Sequence, residues 1–201
     1  MVAGVVLARM QVHAAAGKRR KKMPKTMELV KSAVRKTLKK AEKKKMTKPY
    51  RIMFVCLGNI CRSPMAELLM KDMVKRAGRE SDFLIESSAT SDENVFNGVG
   101  APVYYHTRTL LESKGISCEG KRAQVLTKEH ADKFDLFLCM DGANVRNATR
   151  ILGAENAHKI KKLLSYAGES GDVADPWYTR DFERSYNDVK RGLEGLLKSL
   201  E

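Results

Sequence analysis

Apolar runs and helical stripes alternate along the sequence from Tyr50 to the C-terminus. Apolar runs typical of buried strands cover 50–56 and 135–140, and further strand candidates cover 83–89 and 159–164. Helical spacing and capping residues predict helices over 66–77, 102–115, 127–134, 142–153 and 179–200. Strands that alternate with helices predict an α/β fold, a three-layer sandwich with a four-stranded parallel sheet and helices on both faces.

The first quarter of the chain has a different composition from the rest. Residues 1–48 contain 16 Lys or Arg and 2 Asp or Glu, a net charge of +14, whereas residues 49–201 contain 22 of each and carry no net charge. We therefore predict two parts, a basic extension over 1–48 and a folded domain over 49–201.

The extension admits more than one interpretation. Apolar residues between 29 and 41 recur at roughly helical spacing, so 26–46 are predicted either as a basic amphipathic helix or as solvated, disordered chain. A transit peptide and a start codon upstream of a functional start at Met46 are further alternatives. A basic segment of this kind is able to contact an anionic membrane surface or nucleic acid, although the chemistry below requires neither.

The cysteine pattern bears on compartment and cofactors. The four cysteines, Cys56, Cys61, Cys118 and Cys139, lack the paired spacing of a zinc site. Because the set is typical of a reducing compartment, we predict a cytoplasmic protein without a metal or other cofactor. No run of about 18 apolar residues is present, so no membrane-spanning helix is expected.

The candidate chemistry lies where the first apolar run gives way to a helix. Cys56 and Arg62 are separated by five residues, and Ser63 and Pro64 follow, with Pro64 at a predicted first helical position. A short loop that runs into a helix N-terminus points backbone N–H groups at one centre, where the helix dipole adds positive potential. The segment therefore predicts a binding site for a phosphate dianion.

The residue types in this loop predict covalent chemistry. The positive potential favours the thiolate of Cys56, which is a nucleophile toward phosphorus near neutral pH. Arg62 is predicted to bind two phosphoryl oxygens through its planar guanidinium group. Gly58 and Asn59 accept a positive φ, as a loop with inward-facing amides requires. Since no Walker lysine and no nearby carboxylate for magnesium accompany the loop, reaction through sulfur is the simplest interpretation.

At these positions the chain resembles the low-molecular-weight protein tyrosine phosphatases, whose signature is matched by VCLGNICRSP at 55–64. The resemblance covers 50–201, including GISCEGKR at 115–122, LCMD at 138–141 and DVADPWY at 172–178, and looks closest to a bacterial, Firmicutes-like branch. It implies a monomeric enzyme that hydrolyses phosphotyrosine in proteins, and other aryl phosphates, through a cysteinyl-phosphate intermediate.

The resemblance also implies roles for individual residues. Cys56 is the nucleophile, Arg62 binds phosphate and stabilises the transition state, and Ser63 stabilises the thiolate. Asp175, which Pro176 restricts to extended backbone, is the general acid and afterwards the general base.

Further residues of the family pattern surround these. Asn59 supports the loop with Ser87 as its partner, and Cys61 is a candidate for a reversible disulfide with Cys56, with simple packing in the loop as the alternative. Substrate binding is assigned to Leu57, Gly58, Asn59, Ile60, Cys61, Trp177 and Tyr178.

The sequence departs from the family at one wall of the expected pocket. Many relatives have tryptophan after a Ser-Asp pair in this loop, but here Glu93 follows Ser91 and Asp92. We therefore expect a peptide preference unlike that of the animal enzymes.

Three alternatives to a tyrosine phosphatase remain at this point. An arsenate reductase shares the fold but needs a closely spaced pair of further cysteines, whereas Cys118 and Cys139 lie far apart. A phosphoarginine phosphatase of the same family usually has threonine in place of Ile60. The non-enzymatic alternative is a basic interaction protein with a silent phosphate-binding loop.

Overall fold

The computed structural model describes residues 48–201, and residues 1–47 of the predicted basic extension, with the candidate amphipathic helix, lie outside this range. The central sheet has four strands in the order β2, β1, β5, β6, and every neighbouring pair is parallel. The strands of the described residues are β1 (Tyr50–Cys56), β2 (Phe83–Ala89), β3 (Val95–Phe96), β4 (Val99–Gly100), β5 (Leu136–Cys139) and β6 (Ile160–Lys162). The predicted four-stranded parallel sheet is therefore confirmed.

Helices cover both faces of this sheet. They are α1 (Arg62–Arg76), α2 (Tyr105–Ser113), α3 (His130–Lys133), α4 (Gly142–Leu152), α5 (Pro176–Thr179) and α6 (Phe182–Ser199). Side chains of β1 alternate between two cores, as the period of a strand requires. Ile52 and Phe54 join the core that contains α1 and α6 residues, whereas Met53 and Val55 join the core that contains α3 and α4 residues. This arrangement is the predicted three-layer sandwich.

The strand register brings the carboxyl ends of three strands to one edge of the sheet. Cys56, the last residue of β1, is paired with Ala89 of β2, and Val55 is paired with Cys139 of β5. In open parallel sheets this edge is where ligands bind. The residues that follow these strands therefore share one rim.

Two helix boundaries differ from the prediction near the N-terminal half of the domain. Helix α1 begins at Arg62, so Pro64 is its third residue and not its first, where proline is still tolerated. Helix α2 begins at Tyr105 because Pro102 forms an antiparallel bridge with Arg122 instead of starting a helix.

The predicted closing helix over 179–200 is divided in two. The single turn α5 ends at Arg180, whose φ of 58° lies in the left-handed region and stops the helix. Asp181 then begins α6, since its side chain accepts a hydrogen bond from the backbone N–H of Arg184 at 2.8 Å.

A short hairpin of β3 and β4 was not predicted at all. Its two-residue turn is formed by Asn97 and Gly98, with φ values of 49° and 78°. Residues with two successive positive φ angles are typical of the tight turns that join twisted strands.

No helix within residues 48–201 combines the length and the apolar character needed to cross a membrane.

Candidate active site

The site is built where β1 ends and α1 begins. Cys56 closes the strand, the loop 57–61 turns back, and the N-terminus of α1 follows at once. The Cys56 sulfur is buried and lies 3.0 Å from the Ser63 hydroxyl oxygen. It also accepts a hydrogen bond from the backbone N–H of Asn59 at 3.3 Å. A negative charge on this sulfur is therefore met by a loop amide, a hydroxyl and the positive end of a helix.

Asn59 and Gly58 serve the loop in different ways. Asn59 has a φ of 53°, so the prediction of a left-handed residue here is met. Gly58 does not have a positive φ, and that part of the expectation is wrong. A Cβ atom at Gly58 would lie 2.4 Å from the Asn94 side-chain nitrogen and 2.8 Å from a Glu93 oxygen, so glycine here lets these two side chains approach the loop closely.

A hydrogen-bond network fixes the loop from behind. The Asn59 side-chain oxygen accepts from the backbone N–H of Gln124 at 3.0 Å, so its NH₂ group points the other way. That NH₂ group donates to the hydroxyls of Ser63 and Ser87, each at 2.8 Å. Ser63 thus accepts from Asn59, and its own hydrogen can be donated to the Cys56 sulfur at 3.0 Å, which is nearer than the Ser88 carbonyl oxygen at 3.5 Å. The predicted partnership of Asn59 with Ser87 is present in the structure.

The network ends in a buried ion pair that the sequence analysis did not find. The Ser87 hydroxyl donates to a carboxylate oxygen of Glu67 at 2.6 Å, and Lys121 lies 2.7 Å from the same oxygen. Glu67 also pairs with Lys71, one helical turn away. Burial raises the pKa of Glu67, but Lys121 and Lys71 outweigh it and bring the pKa below its ordinary value. The carboxylate therefore stays ionised and accepts the hydrogen bond from the Ser87 hydroxyl.

The Arg62 guanidinium group lies between two carboxylates. One terminal nitrogen is 2.7 Å from Asp141 and the other is 2.6 Å from Asp175. Arg62 is only 4% exposed. Burial by itself lowers the pKa of Arg62, but the Cys56 sulfur, Asp175 and Asp141 raise it above its ordinary value. Asp141, whose side chain caps α4 by accepting from the backbone N–H of Asn144 at 2.6 Å, thus also positions this arginine.

Asp175 is placed by the start of α5. One carboxylate oxygen accepts from the backbone N–H of Trp177 at 3.0 Å, and the other faces Arg62. The Trp177 ring contacts the Tyr104 ring edge-on at 5.7 Å between centroids. The general-acid candidate and an aromatic wall are therefore brought to the loop by the same turn of helix.

These residues surround a cavity of about 410 Å³. Of the residues proposed from sequence, Ser63 and Ser87 lie behind the loop and the others line the cavity. The lining residues are Cys56, Leu57, Gly58, Asn59, Ile60, Cys61, Arg62, Glu93, Asn94, Asp175, Trp177 and Tyr178. Asn94, which donates to the Gly58 carbonyl at 3.1 Å, is the wall residue that the sequence analysis missed.

The remaining cysteines are buried free thiols. Burial is the main cause that raises the pKa of Cys61 to about 12 and of Cys118 to about 11, and it also raises the pKa of Cys139. Cys139 lies inside β5. Neither Cys118 nor Cys139 is thus placed as an exchange thiol for arsenate reduction, and the disulfide of Cys61 with Cys56 stays a prediction.

Within residues 48–201, no cluster of three or more His, Cys, Asp or Glu side chains is arranged to hold a metal ion.

Known proteins match the same part of the chain that forms this domain. Residues 51–201 match the family model described as low molecular weight phosphotyrosine protein phosphatase. Low molecular weight protein-tyrosine-phosphatase YfkJ of Bacillus subtilis is 36% identical over 152 residues, which are 75% of this chain and 95% of that protein. PtpA of Staphylococcus epidermidis, named as the same type of enzyme, is 35% identical over 147 residues, 73% of this chain and 90% of that protein. The crystal structure of YfkJ matches with a TM-score of 0.72 at 35% identity, over 77% of this chain and 96% of that chain.

Proposed function

The chain belongs to the low molecular weight phosphotyrosine protein phosphatase family, and we propose that it hydrolyses phosphotyrosine in proteins with Cys56 as nucleophile, Arg62 as phosphate ligand and Asp175 as general acid and base. The observation that carries these assignments is the convergence of the three side chains on one cavity, with the Cys56 sulfur 3.0 Å from a hydroxyl donor.

In the first step the Cys56 thiolate attacks phosphorus. A phosphorus–sulfur bond forms while the bond from phosphorus to the phenolic oxygen breaks. Asp175, in its protonated form, donates its proton to that oxygen, so that tyrosine leaves as a neutral phenol. Arg62 and the amides of the loop hold the phosphoryl oxygens, where negative charge is concentrated in the transition state.

In the second step water hydrolyses the cysteinyl phosphate. Asp175, now a carboxylate, accepts a proton from the attacking water, and the phosphorus–sulfur bond breaks. The departing thiolate of Cys56 is stabilised by the Ser63 hydroxyl and by the Asn59 N–H, the two donors that already contact the sulfur. Inorganic phosphate is the product.

Arg62 exchanges one of its partners during this cycle. Its two terminal nitrogens are bound by Asp141 and Asp175, so a phosphoryl group that takes the guanidinium fork displaces one carboxylate. Asp175 is the more exposed of the two and caps the single-turn helix α5, whereas Asp141 caps the longer helix α4. We propose that Asp175 leaves and Asp141 stays, which frees Asp175 to take up a proton beside the phosphate dianion.

The same reasoning extends to the organisation of the protein. A catalytic domain over 49–201 is supported by the family match over 51–201 and by the neutral charge of this part. We propose that the basic extension is dispensable for chemistry and is free to contact anionic surfaces, and that the enzyme acts as a monomer in the cytoplasm, where Cys56 stays reduced. A variant lacking residues 1–45 should keep its kcat, and its sedimentation should fit one copy.

The proposed function is tested with para-nitrophenyl phosphate in the presence of EDTA. The wild-type chain should turn the substrate over, and Cys56→Ser should show no measurable turnover because its hydroxyl is not ionised near neutral pH. Phosphotyrosine, phosphoarginine and arsenate supplied in parallel separate the three related activities. Equal turnover by Cys56→Ser, or a preference for phosphoarginine or arsenate, would contradict the proposal.

A further inference from the structure

The exposed apolar side chains of the described residues are concentrated near the cavity. Seven large apolar side chains are exposed within 48–201, and six of them belong to four segments that line the cavity or adjoin residues that line or contact its wall. The six are Leu57, Phe96, Val99, Tyr105, Trp177 and Tyr178. The seventh, Leu84, lies on the edge strand β2 of the central sheet. Contiguous exposed apolar surface on a folded protein marks a place of interaction.

The hairpin of β3 and β4 contributes the most exposed aliphatic and phenyl side chains of this set. Phe96 is 68% exposed and Val99 is 65% exposed. They are directly opposite one another in the antiparallel pair, so their side chains lie on the same face of the hairpin. Neither belongs to a hydrophobic core, and the fold therefore does not account for them.

The base of this hairpin is part of the cavity wall. Asn94, the residue before β3, lines the cavity and donates to the Gly58 carbonyl at 3.1 Å. Gly58 belongs to the loop 57–61, the phosphate loop. Its own carbonyl accepts from the backbone N–H of Ala101 at 2.8 Å, which closes the hairpin at the rim. Since a strand advances about 3.3 Å per residue, Phe96 lies within about 7 Å of Asn94 along the chain.

The hairpin is also held in place. A Cβ atom at Gly100 would lie 1.8 Å from the Ala123 carbonyl oxygen, so β4 packs directly on that backbone. The turn residues Asn97 and Gly98 both have the positive φ that a tight two-residue turn needs. An apolar pair on a fixed support loses little conformational freedom when a partner covers it.

We propose that Phe96 and Val99 bind an apolar side chain of the substrate protein that lies within about three residues of the phosphotyrosine. This rests on the proposed function, in which the phosphotyrosine side chain occupies the cavity. The backbone of the substrate then lies at the rim of the cavity, next to the hairpin. An extended substrate advances about 3.3 Å per residue, so a residue three positions from the phosphotyrosine lies about 10 Å from it, and Phe96 lies within about 7 Å of the cavity-lining Asn94 along the chain. The occupant is thus an apolar substrate residue, continuous with the phosphotyrosine that the cavity binds.

The test compares phosphotyrosine peptides that differ in one neighbour. Leucine or serine is placed at each of the three positions on either side of phosphotyrosine, at constant net charge. For wild type, kcat/KM should be about fivefold to tenfold higher for the leucine peptide than for the serine peptide at one or more positions, because KM is lower. The double variant Phe96→Ser, Val99→Ser should lose this preference and keep its turnover of para-nitrophenyl phosphate, which has no neighbouring residues.

Leu84→Ser is the matched control, since it also removes an exposed large apolar side chain but one that lies at the start of β2, in the other sheet. It should keep the leucine preference. Equal kcat/KM for leucine and serine peptides in wild type would overturn the proposal, as would a preference that survives in the double variant or disappears in the control. Dimer formation that only the double variant abolishes would assign the pair to a second copy of this chain instead. If the wild-type chain does not turn over para-nitrophenyl phosphate at all, the proposed function itself is contradicted.

Discussion

The two sides of the phosphate loop differ in the kind of side chain that contacts them. On the inner side, Asn59, Ser63, Ser87 and Glu67 form a buried network in which hydrogen bonds connect the thiol to an ion pair with Lys121. On the outer side, aromatic and apolar side chains are exposed around the cavity. A buried polar group without a partner is costly, so the inner side tolerates little change. We infer that the inner side governs the rate of chemistry and the outer side governs which substrate is bound.

After the loss of all turnover predicted for Cys56→Ser, the largest effect is expected at Arg62, where the two sides meet. Arg62→Lys keeps the positive charge but loses the planar fork, so kcat should fall by about 10² to 10³, in the range for loss of a charge-stabilising donor. Steady-state kinetics with para-nitrophenyl phosphate measure this. Arg180→Lys is the control, because Arg180 is exposed over the Trp177 ring and should change kcat little. Similar kcat values for Arg62→Lys and wild type would place phosphate binding elsewhere.

Asp175→Asn should slow phosphotyrosine hydrolysis by about 10², because a poor leaving group needs the proton that this carboxyl supplies. Activated aryl esters should be slowed less at the step that breaks the phosphorus–oxygen bond. Single-turnover bursts with leaving groups of different pKa separate this step from later hydrolysis. Asp181→Asn, which changes an exposed helix cap, is the control. If bond cleavage is slowed equally for every leaving group, Asp175 is not the acid and Asp141 is the next candidate.

Glu67→Gln tests the inner side without touching the thiol. At pH 7 the variant should lose about 1–3 kcal/mol of unfolding free energy, because Lys121 is left without a charged partner in a largely buried place. The folded pKa of Glu67 is lowered from 4.5, so its stabilisation is present above pH 4.5 and is lost as the pH falls through the folded value.

The difference between wild type and Glu67→Gln in urea unfolding should therefore shrink at acidic pH. Glu194→Gln, which removes the acid of an exposed pair with Lys190, is the matched control and should cost about 0.5 kcal/mol or less. A pH-independent difference would mean that charge pairing at Glu67 is not what stabilises this network.

The smallest effect is expected from Glu93 on the outer side. Its carboxylate lines the cavity that receives a phosphate dianion, so Glu93→Gln should lower KM by about twofold to fivefold and leave kcat unchanged, with a smaller effect at high salt. Asp92→Asn, an adjacent acidic residue that does not line the cavity, should have less effect. A change in kcat without a change in KM would contradict the division between the two sides.

The parts that sequence predicted well depend on local signals. The bounds of β1 and β2 follow from apolar runs, and the loop between Cys56 and Arg62 follows from the residue types that a helix N-terminus and a phosphate require. The cap of α4 by Asp141 is local too.

The parts that sequence missed depend on contacts between distant segments. Glu67 lies on a helix and Lys121 on a loop, and only the packed fold shows that they meet beneath Ser87. The pairing of Asp141 with Arg62 likewise depends on the register of β1 with β5. The break before α6 was missed because arginine seldom adopts the positive φ found at Arg180.

The central claim is that phosphate passes through the Cys56 sulfur. The most direct test is to mix Asp175→Asn with an activated aryl phosphate, quench it in acid within the first turnover, and locate the phosphate by peptide mass spectrometry. The account predicts one equivalent of phenol released in the burst and phosphate on the peptide that contains Cys56, because loss of the base slows hydrolysis of the intermediate. Phosphate on another residue, or phenol release with no covalent phosphate at any time, would contradict it.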